Sequence, residues 1–153
     1  MSLAVFSRSA RTASVALAGA GVLASLAMLG TATQASAATP TAAYSNNLSG
    51  WIAQAQAVLA AHGDHVPSAG AIRARAMTES SGNPLAENHW DSNQRLYGGT
   101  YGLLQTIKPT FSTWSLPGHT NIFNPVDSIV AGVRYANHQY GSFDKVAYTK
   151  AGY

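Results

Sequence analysis

The sequence predicts a mainly α fold in a single domain, and three observations carry that reading. Apolar residues recur at helical spacing in stretches bounded by cap and stop residues. No pair of alternating stretches makes a convincing strand pair, and no internal repeat is visible. The segment after a cleavage-site pattern near Ala37 is long enough for one core and no more. In chain order, Leu48, Trp51, Ile52, Ala55, Val58 and Leu59 form the first helical stripe, with Asn47 as its cap and Gly63 as its stop. Asp64 to Pro67 is a turn. Ser68 can cap a second helix whose face carries Ile72, Ala76 and Glu79, ended by Gly82 and Pro84. Residues 85–101 are rich in Asn, Gly and aromatics and read as a long loop. Pro109 opens a short helix with Phe111 and Trp114, and Leu116 to His119 is a turn. Asn124 caps the last helix, Pro125 takes its first position, and Val126, Ile129, Val130 and Val133 form its buried stripe up to the stop at Gly141.

The first 37 residues read as a secretory signal. Arg8 and Arg11 give a positive start, Ala13 to Gly30 is uncharged and apolar, and Ala35-Ser36-Ala37 supplies a cleavage site. A membrane span is the competing reading, because the apolar run approaches spanning length. The Ala and Gly content and the lack of basic residues after the run favour the signal. Residues 38–46 lack periodicity and read as a flexible leader, and residues 47–153 as the folded domain. Removing the signal leaves 116 residues with seven Lys+Arg and six Asp+Glu. This near neutrality excludes a basic nucleic-acid stripe and a polybasic membrane patch. With no cysteine, the domain is held by packing, without disulfides or thiolate metal sites.

Glu79 is the candidate catalytic residue. It ends an apolar helix face, where burial and the negative end of the helix dipole both favour a protonated carboxyl. A general acid needs that state near neutral pH. Arg75, one turn earlier, opposes the shift if it reaches the carboxylate. From the helix pattern alone, an ordinary solvated helix-end Glu is the stronger claimant. Twenty-three residues after Glu79 a glycine opens the apolar turn Gly102-Leu103-Leu104-Gln105-Thr106-Ile107. An amide on such a turn needs a partner, and a sugar acetamido or hydroxyl group is a natural one.

Four segments together resemble the catalytic domain of soluble lytic transglycosylases, the lysozyme-like enzymes that cut bacterial peptidoglycan. They are Met77-Thr78-Glu79-Ser80-Ser81-Gly82-Asn83-Pro84, Asn88-His89-Trp90-Asp91-Ser92-Asn93, Tyr101 to Phe111, and Asn121 to Tyr135. The resemblance covers most of residues 48–143 and is nearest to short secreted actinobacterial forms. It implies a lysozyme-like fold, with Glu79 as the catalytic acid and base. It further implies that Gln105 and Ile107 line the sugar site, that Asn88 falls near a polar contact, and that Tyr135 faces the Glu. Tyr97, Tyr101 and Tyr135 are candidate sugar platforms with polar tips, whereas Trp90 and Trp114 read at least as readily as core. The chain departs from the family at Ser81, where close relatives often have Gly, and in its aromatic, glycine-rich loop before Gly102.

The mechanism implied by the resemblance uses one carboxylate and the substrate's own acetamido group, and closes a 1,6-anhydro ring on MurNAc. The implied partner is the peptidoglycan glycan strand, met outside the cell or in the cell wall by a monomer. No nucleic acid, no stable membrane insertion after signal removal and no cofactor are expected. Two alternatives share the residues: a lysozyme-type hydrolase, for which Asp91 could serve as second carboxylate, and a non-catalytic wall-binding module. Asp91 reads more simply as a loop-fixing residue, Asp127 as a helix-start charge, and Glu87 as exposed. The five histidines are scattered without a ligand spacing, so no metal site is expected.

Overall fold

Side chains cap the helices where the sequence places them. The computed structural model of the chain describes residues 43–90 and 93–150, all within one unit, Pro40–Tyr153. The secretory signal, the leader up to residue 42, and Asp91 lie outside the described residues. Helix α1 spans Leu48–Ala61, and the Asn47 carboxamide oxygen accepts the Gly50 N–H at 3.0 Å. Helix α2 spans Ala69–Ser80, and Ser68 Oγ accepts the Ala71 N–H at 3.1 Å. Both bonds satisfy amides that a helix start leaves without partners. Helix α4 spans Lys108–Trp114 with proline in its first turn. Helix α5 spans Pro125–Tyr140, where Asn124 Oδ1 accepts from Val126 and Asp127 and Gly141 closes the end at φ +79°. A 3-10 turn, Phe143–Lys145, follows.

Helix α5 is the axis of the domain. It packs on α1 and on α4, and α1 packs on α2. Every residue from Val126 to Val133 is buried, so the burial is wider than the apolar stripe predicts. The reason is pairing of the polar members. Asp127 accepts from His119 Nδ1 at 2.8 Å and from the Asn121 N–H at 3.0 Å, and Ser128 Oγ accepts the Leu104 N–H at 3.1 Å. Polar groups with such partners can be buried without the penalty of lost hydration. Asp127 is thus more than a helix-start charge, because it also ties down the turn before α5. Ile52, Ala55 and Leu59 of α1, Ala71, Ile72 and Ala76 of α2, Ile129, Val130 and Val133 of α5, and Leu103, Leu104, Phe143 and Ala147 share one core. A fully buried Leu, Ile, Val or Phe side chain contributes about 1.5–3 kcal/mol.

The segment read as a long loop contains regular structure. Glu87–Asn88 (β1) pairs antiparallel with Thr100–Tyr101 (β2), with Glu87 opposite Tyr101 and Asn88 opposite Thr100. Between them lies a short helix, α3, Asn93–Tyr97. Two-residue strands are too short to show alternation, which is why periodicity did not reveal them. Gly99 makes the hairpin close. A Cβ there would lie 2.2 Å from the Asn88 carbonyl oxygen. Among the described residues, no helix is long and apolar enough to cross a membrane.

Candidate active site

Glu79 occupies the last turn of α2, on the face that carries Ile72 and Ala76 into the core. The helix stops just beyond it. Ser81 turns left-handed at φ +54°, and the N–H groups of Ser81 and Gly82 return to the carbonyls of Met77 and Ala76. The Glu79 side chain is 17% exposed and meets the guanidinium of Arg75, which is wholly buried. Burial of Glu79 pushes its carboxyl above the usual carboxylate range, and the charge and hydrogen bond of Arg75 hold it back only in part. Arg75 therefore does reach the acid, and desolvation still outweighs it.

The adjoining Ser80 joins this helix end to the apolar turn. Its Oγ donates to the Leu103 carbonyl at 2.8 Å and to the Ala76 carbonyl at 3.1 Å. The turn is fixed from its other side by Ser128, through the Leu104 N–H. Gly102, at φ +78°, is required at its start, because a Cβ would stand 2.2 Å from the Ile122 carbonyl oxygen. Glu79 and the Gly102–Thr106 turn are thus neighbours through a named bond.

Gln105 sits in that turn at φ +50°. Among the described residues, Ser81 and Gln105 are the non-glycine positions with positive φ. Strained backbone of this kind tends to gather at functional sites. The Gln105 amide, however, is already served. Its Nε2 donates to the Ala86 carbonyl at 3.0 Å and the Gly102 carbonyl at 2.9 Å, and its Oε1 accepts from Thr100 Oγ1 at 3.0 Å. A sugar partner is not needed to satisfy this amide. The partners lie on β2, on the turn and before β1, so Gln105 locks the hairpin to the turn beside Glu79.

The remaining site residues fall in two groups. Asn88 lies in β1, half-buried, and its Oδ1 accepts the Trp90 N–H at 3.1 Å. Ile107 is half-buried just before α4. Tyr101 is buried rather than displayed. Its hydroxyl donates to the Gly98 carbonyl at 2.9 Å, and its ring is flanked by His89, Phe123 and the Lys108 ammonium. As a flat platform for sugar it is therefore unsuited, because its faces and edges are taken within the protein. Tyr135 stands on α5 with its ring edge-on to Trp114 and Tyr140. Burial, and then a hydrogen bond with Tyr140, raise its phenol above the ordinary value. Trp114 also stacks on His138, at 4.7 Å between ring centres, and is half-buried. Trp90 is 88% exposed, contrary to a core-filling role. It lies just past the end of β1. Tyr97 is exposed on α3.

His89 locks the same hairpin. Its Nδ1 faces the Gly98 carbonyl at 2.6 Å and its Nε2 faces Glu87 Oε2 at 2.9 Å. Both partners are acceptors, so the protonated ring can donate to both. The bond to Glu87, and then that to Gly98, raise His89 above its ordinary value. Glu87 is exposed, as expected, yet paired. Among the described residues, no three of His, Asp and Glu gather where they could hold a metal ion. Residues that spacing did not single out are Ser80 and Ser128, whose hydroxyls position the turn. Nor did it give the C-terminal partners of Arg75, the carbonyls of Val146 and Thr149. Only the four-residue interval between Arg75 and Glu79 was visible in advance.

A half-buried acid at a helix end, set against a glycine-led turn in a mainly α domain, is a lysozyme-like arrangement. The transglycosylase SLT domain model matches residues 59–153, and the chain belongs to that family. The chain is 45% identical over 71 residues to the uncharacterized protein YqbO of Bacillus subtilis (strain 168). That stretch is 46% of this chain but 4% of YqbO, so the chain spans a small part of that relative's length. No solved structure matches the chain significantly.

Proposed function

We propose that the protein cleaves the β-1,4 bond between MurNAc and GlcNAc in peptidoglycan and leaves a 1,6-anhydroMurNAc end. The observation that carries this reading is the half-buried Glu79, held protonated to higher pH by desolvation, in a chain of the SLT family. Glu79 donates its proton to the glycosidic oxygen as the C1–O bond breaks and GlcNAc leaves with a free 4-hydroxyl. The 2-acetamido group of MurNAc supports the positive charge at C1. Glu79, now a carboxylate, takes the proton of the MurNAc 6-hydroxyl, whose oxygen bonds to C1. The acid is restored and no water is consumed.

One carboxylate is enough for this sequence of steps, and the four other acidic residues among the described ones are paired within the protein, Asp91 lying outside the described residues. The sequence holds six Asp and Glu. Asp64 pairs with Arg134, Glu87 with His89, Asp127 with His119, and Asp144 with Ser142. Each is committed to another part of the fold. In this reading Gln105, Ile107, Asn88 and Tyr101 shape the sugar site mainly by fixing its backbone, and Tyr135 orients the site from α5. The protein acts as a monomer outside the cell, delivered by the signal in its first 37 residues.

Mass spectrometry of peptidoglycan digested in ¹⁸O-water tests the reading. Anhydro-MurNAc products without solvent oxygen are expected, and Glu79→Gln loses roughly 10²–10⁴-fold in turnover, the usual worth of general acid–base help. Reducing ends that carry ¹⁸O, with no anhydro species, would instead assign a hydrolase. A Glu79→Gln protein with full activity would remove Glu79 from the chemistry.

A further inference from the structure

Arg75 holds an unusual position for a cation. Its side chain has no solvent exposure, and burial of an ammonium or guanidinium group costs several kcal/mol unless its protons are met. Here Nη1 donates to the Val146 carbonyl at 3.1 Å, the Thr149 carbonyl at 3.1 Å and Thr149 Oγ1 at 3.3 Å. Nη2 donates to Glu79 Oε1. The two nitrogens of one planar group thus join the acid to a segment 71 to 74 residues downstream of Arg75. That segment is itself anchored, since Phe143 and Ala147 are in the core.

We propose that Arg75 is a positioning residue for Glu79, and that through it the C-terminal segment Val146–Thr149 sets the geometry of the acid. The inference rests on the reading of Glu79 as the acid. The guanidinium occupies Oε1, so the transferable proton belongs on Oε2, the oxygen that bonds to none of the described residues. A rigid fork fixed at one end to backbone carbonyls allows the carboxyl little rotation. Ser80 pins the same helix end to the Leu103 carbonyl from the other side. Glu79 is therefore held between the C-terminal segment and the Gly102–Thr106 turn.

The electrostatic setting is simple. Among the described residues, Arg75 is the charge that acts on Glu79. The Gly102–Thr106 turn carries no titratable side chain. On the C-terminal side, Asp144 meets Ser142, Lys145 donates to the Tyr140 carbonyl, and Tyr148 is exposed with its hydroxyl over Gly70. On α2, Arg73 donates to Ser49.

The experiment compares Arg75→Met and Arg75→Lys with the wild type in the full chain. Three readouts are taken: the pH profile of kcat/KM on peptidoglycan, the split of kcat from KM, and the ¹³C-NMR titration of the Glu79 carboxyl. Arg75→Met removes the cation, so the Glu79 titration and the alkaline limb of the profile both move to higher pH. Arg75→Lys keeps the charge but has a single nitrogen, so it cannot hold Glu79 and the Thr149 carbonyl in one plane. Its alkaline limb stays near the wild type while kcat falls roughly 10–100-fold at unchanged KM, because misplacement by about 1 Å can cost 10²-fold. If Arg75→Met does not fold, Arg75→Lys alone decides, and full kcat in it overturns the proposal. An unmoved Glu79 titration in folded Arg75→Met also overturns it. The NMR readout needs no turnover, so it separates this outcome from the failure of Glu79 as the acid, which Glu79→Gln reports.

Discussion

Gln105→Ala is expected to destabilise the domain as a whole before it touches binding. The substitution deletes three hydrogen bonds, to Ala86, Gly102 and Thr100. At a net ~0.5–1.5 kcal/mol each, the loss is roughly 1.5–4.5 kcal/mol. It is not larger, because the backbone carbonyls keep other donors. The Ala86 carbonyl retains the Gly102 N–H at 2.9 Å, and the Gly102 carbonyl retains the residue-105 N–H at 3.3 Å. Thr100, which is buried, is left without its acceptor. The left-handed backbone strains Ala as it strains Gln, so that cost cancels. Against a total stability of about 5–15 kcal/mol the effect is large, and at roughly 4–8 °C per kcal/mol the melting point falls by roughly 6–35 °C. Thermal melts by circular dichroism, with turnover measured well below both transitions, provide the assay. Gln105→Gly removes the same bonds but relieves the positive φ, so it should melt above Gln105→Ala. Gln105→Glu should melt lower still, because it sets a carboxylate against two carbonyl oxygens. An unchanged melt with lost turnover in Gln105→Ala would refute this reasoning and make the substrate the partner of the amide.

Two further outcomes follow from the backbone and from His89. Ser81→Gly should stabilise the protein by about 0.5–1 kcal/mol, because a left-handed non-glycine residue costs ~1–2 kcal/mol and added chain freedom returns part of it; urea unfolding that shows an unchanged or lower midpoint contradicts this. The His89 lock should weaken as pH rises. Its folded value lies above the ordinary 6.5, so its stabilisation is complete below 6.5 and is lost as pH climbs through the raised folded value. Amide exchange across residues 93–98, corrected for intrinsic rate, should accelerate over that window in the wild type but not in His89→Gln. Protection that is flat with pH in both proteins would count against the lock.

What the sequence discloses and what it hides differ by the range and the identity of the partner. Caps at Asn47, Ser68 and Asn124 are legible because a side chain and the amides it serves lie within three residues. The Arg75–Glu79 contact is legible for the same reason, as neighbours one turn apart on a helix. The helical stripes are legible because they repeat. The hairpin escapes because two residues per strand cannot repeat, and exposed Trp90 escapes because an aromatic residue carries no mark of which side it faces. The deeper limit lies in the acceptors. Gln105 ends on the carbonyls of Ala86 and Gly102, Ser80 on that of Leu103, and Arg75 on those of Val146 and Thr149. Every residue has a carbonyl, so no side-chain pattern says which one a distant donor will find. The apolar turn with one amide rightly implied an unmet need for hydrogen bonds. It could not say that the backbone nineteen residues upstream would meet it. The position of the acid is thus written in local spacing, whereas the atoms that hold it in place become known only once the chain has closed.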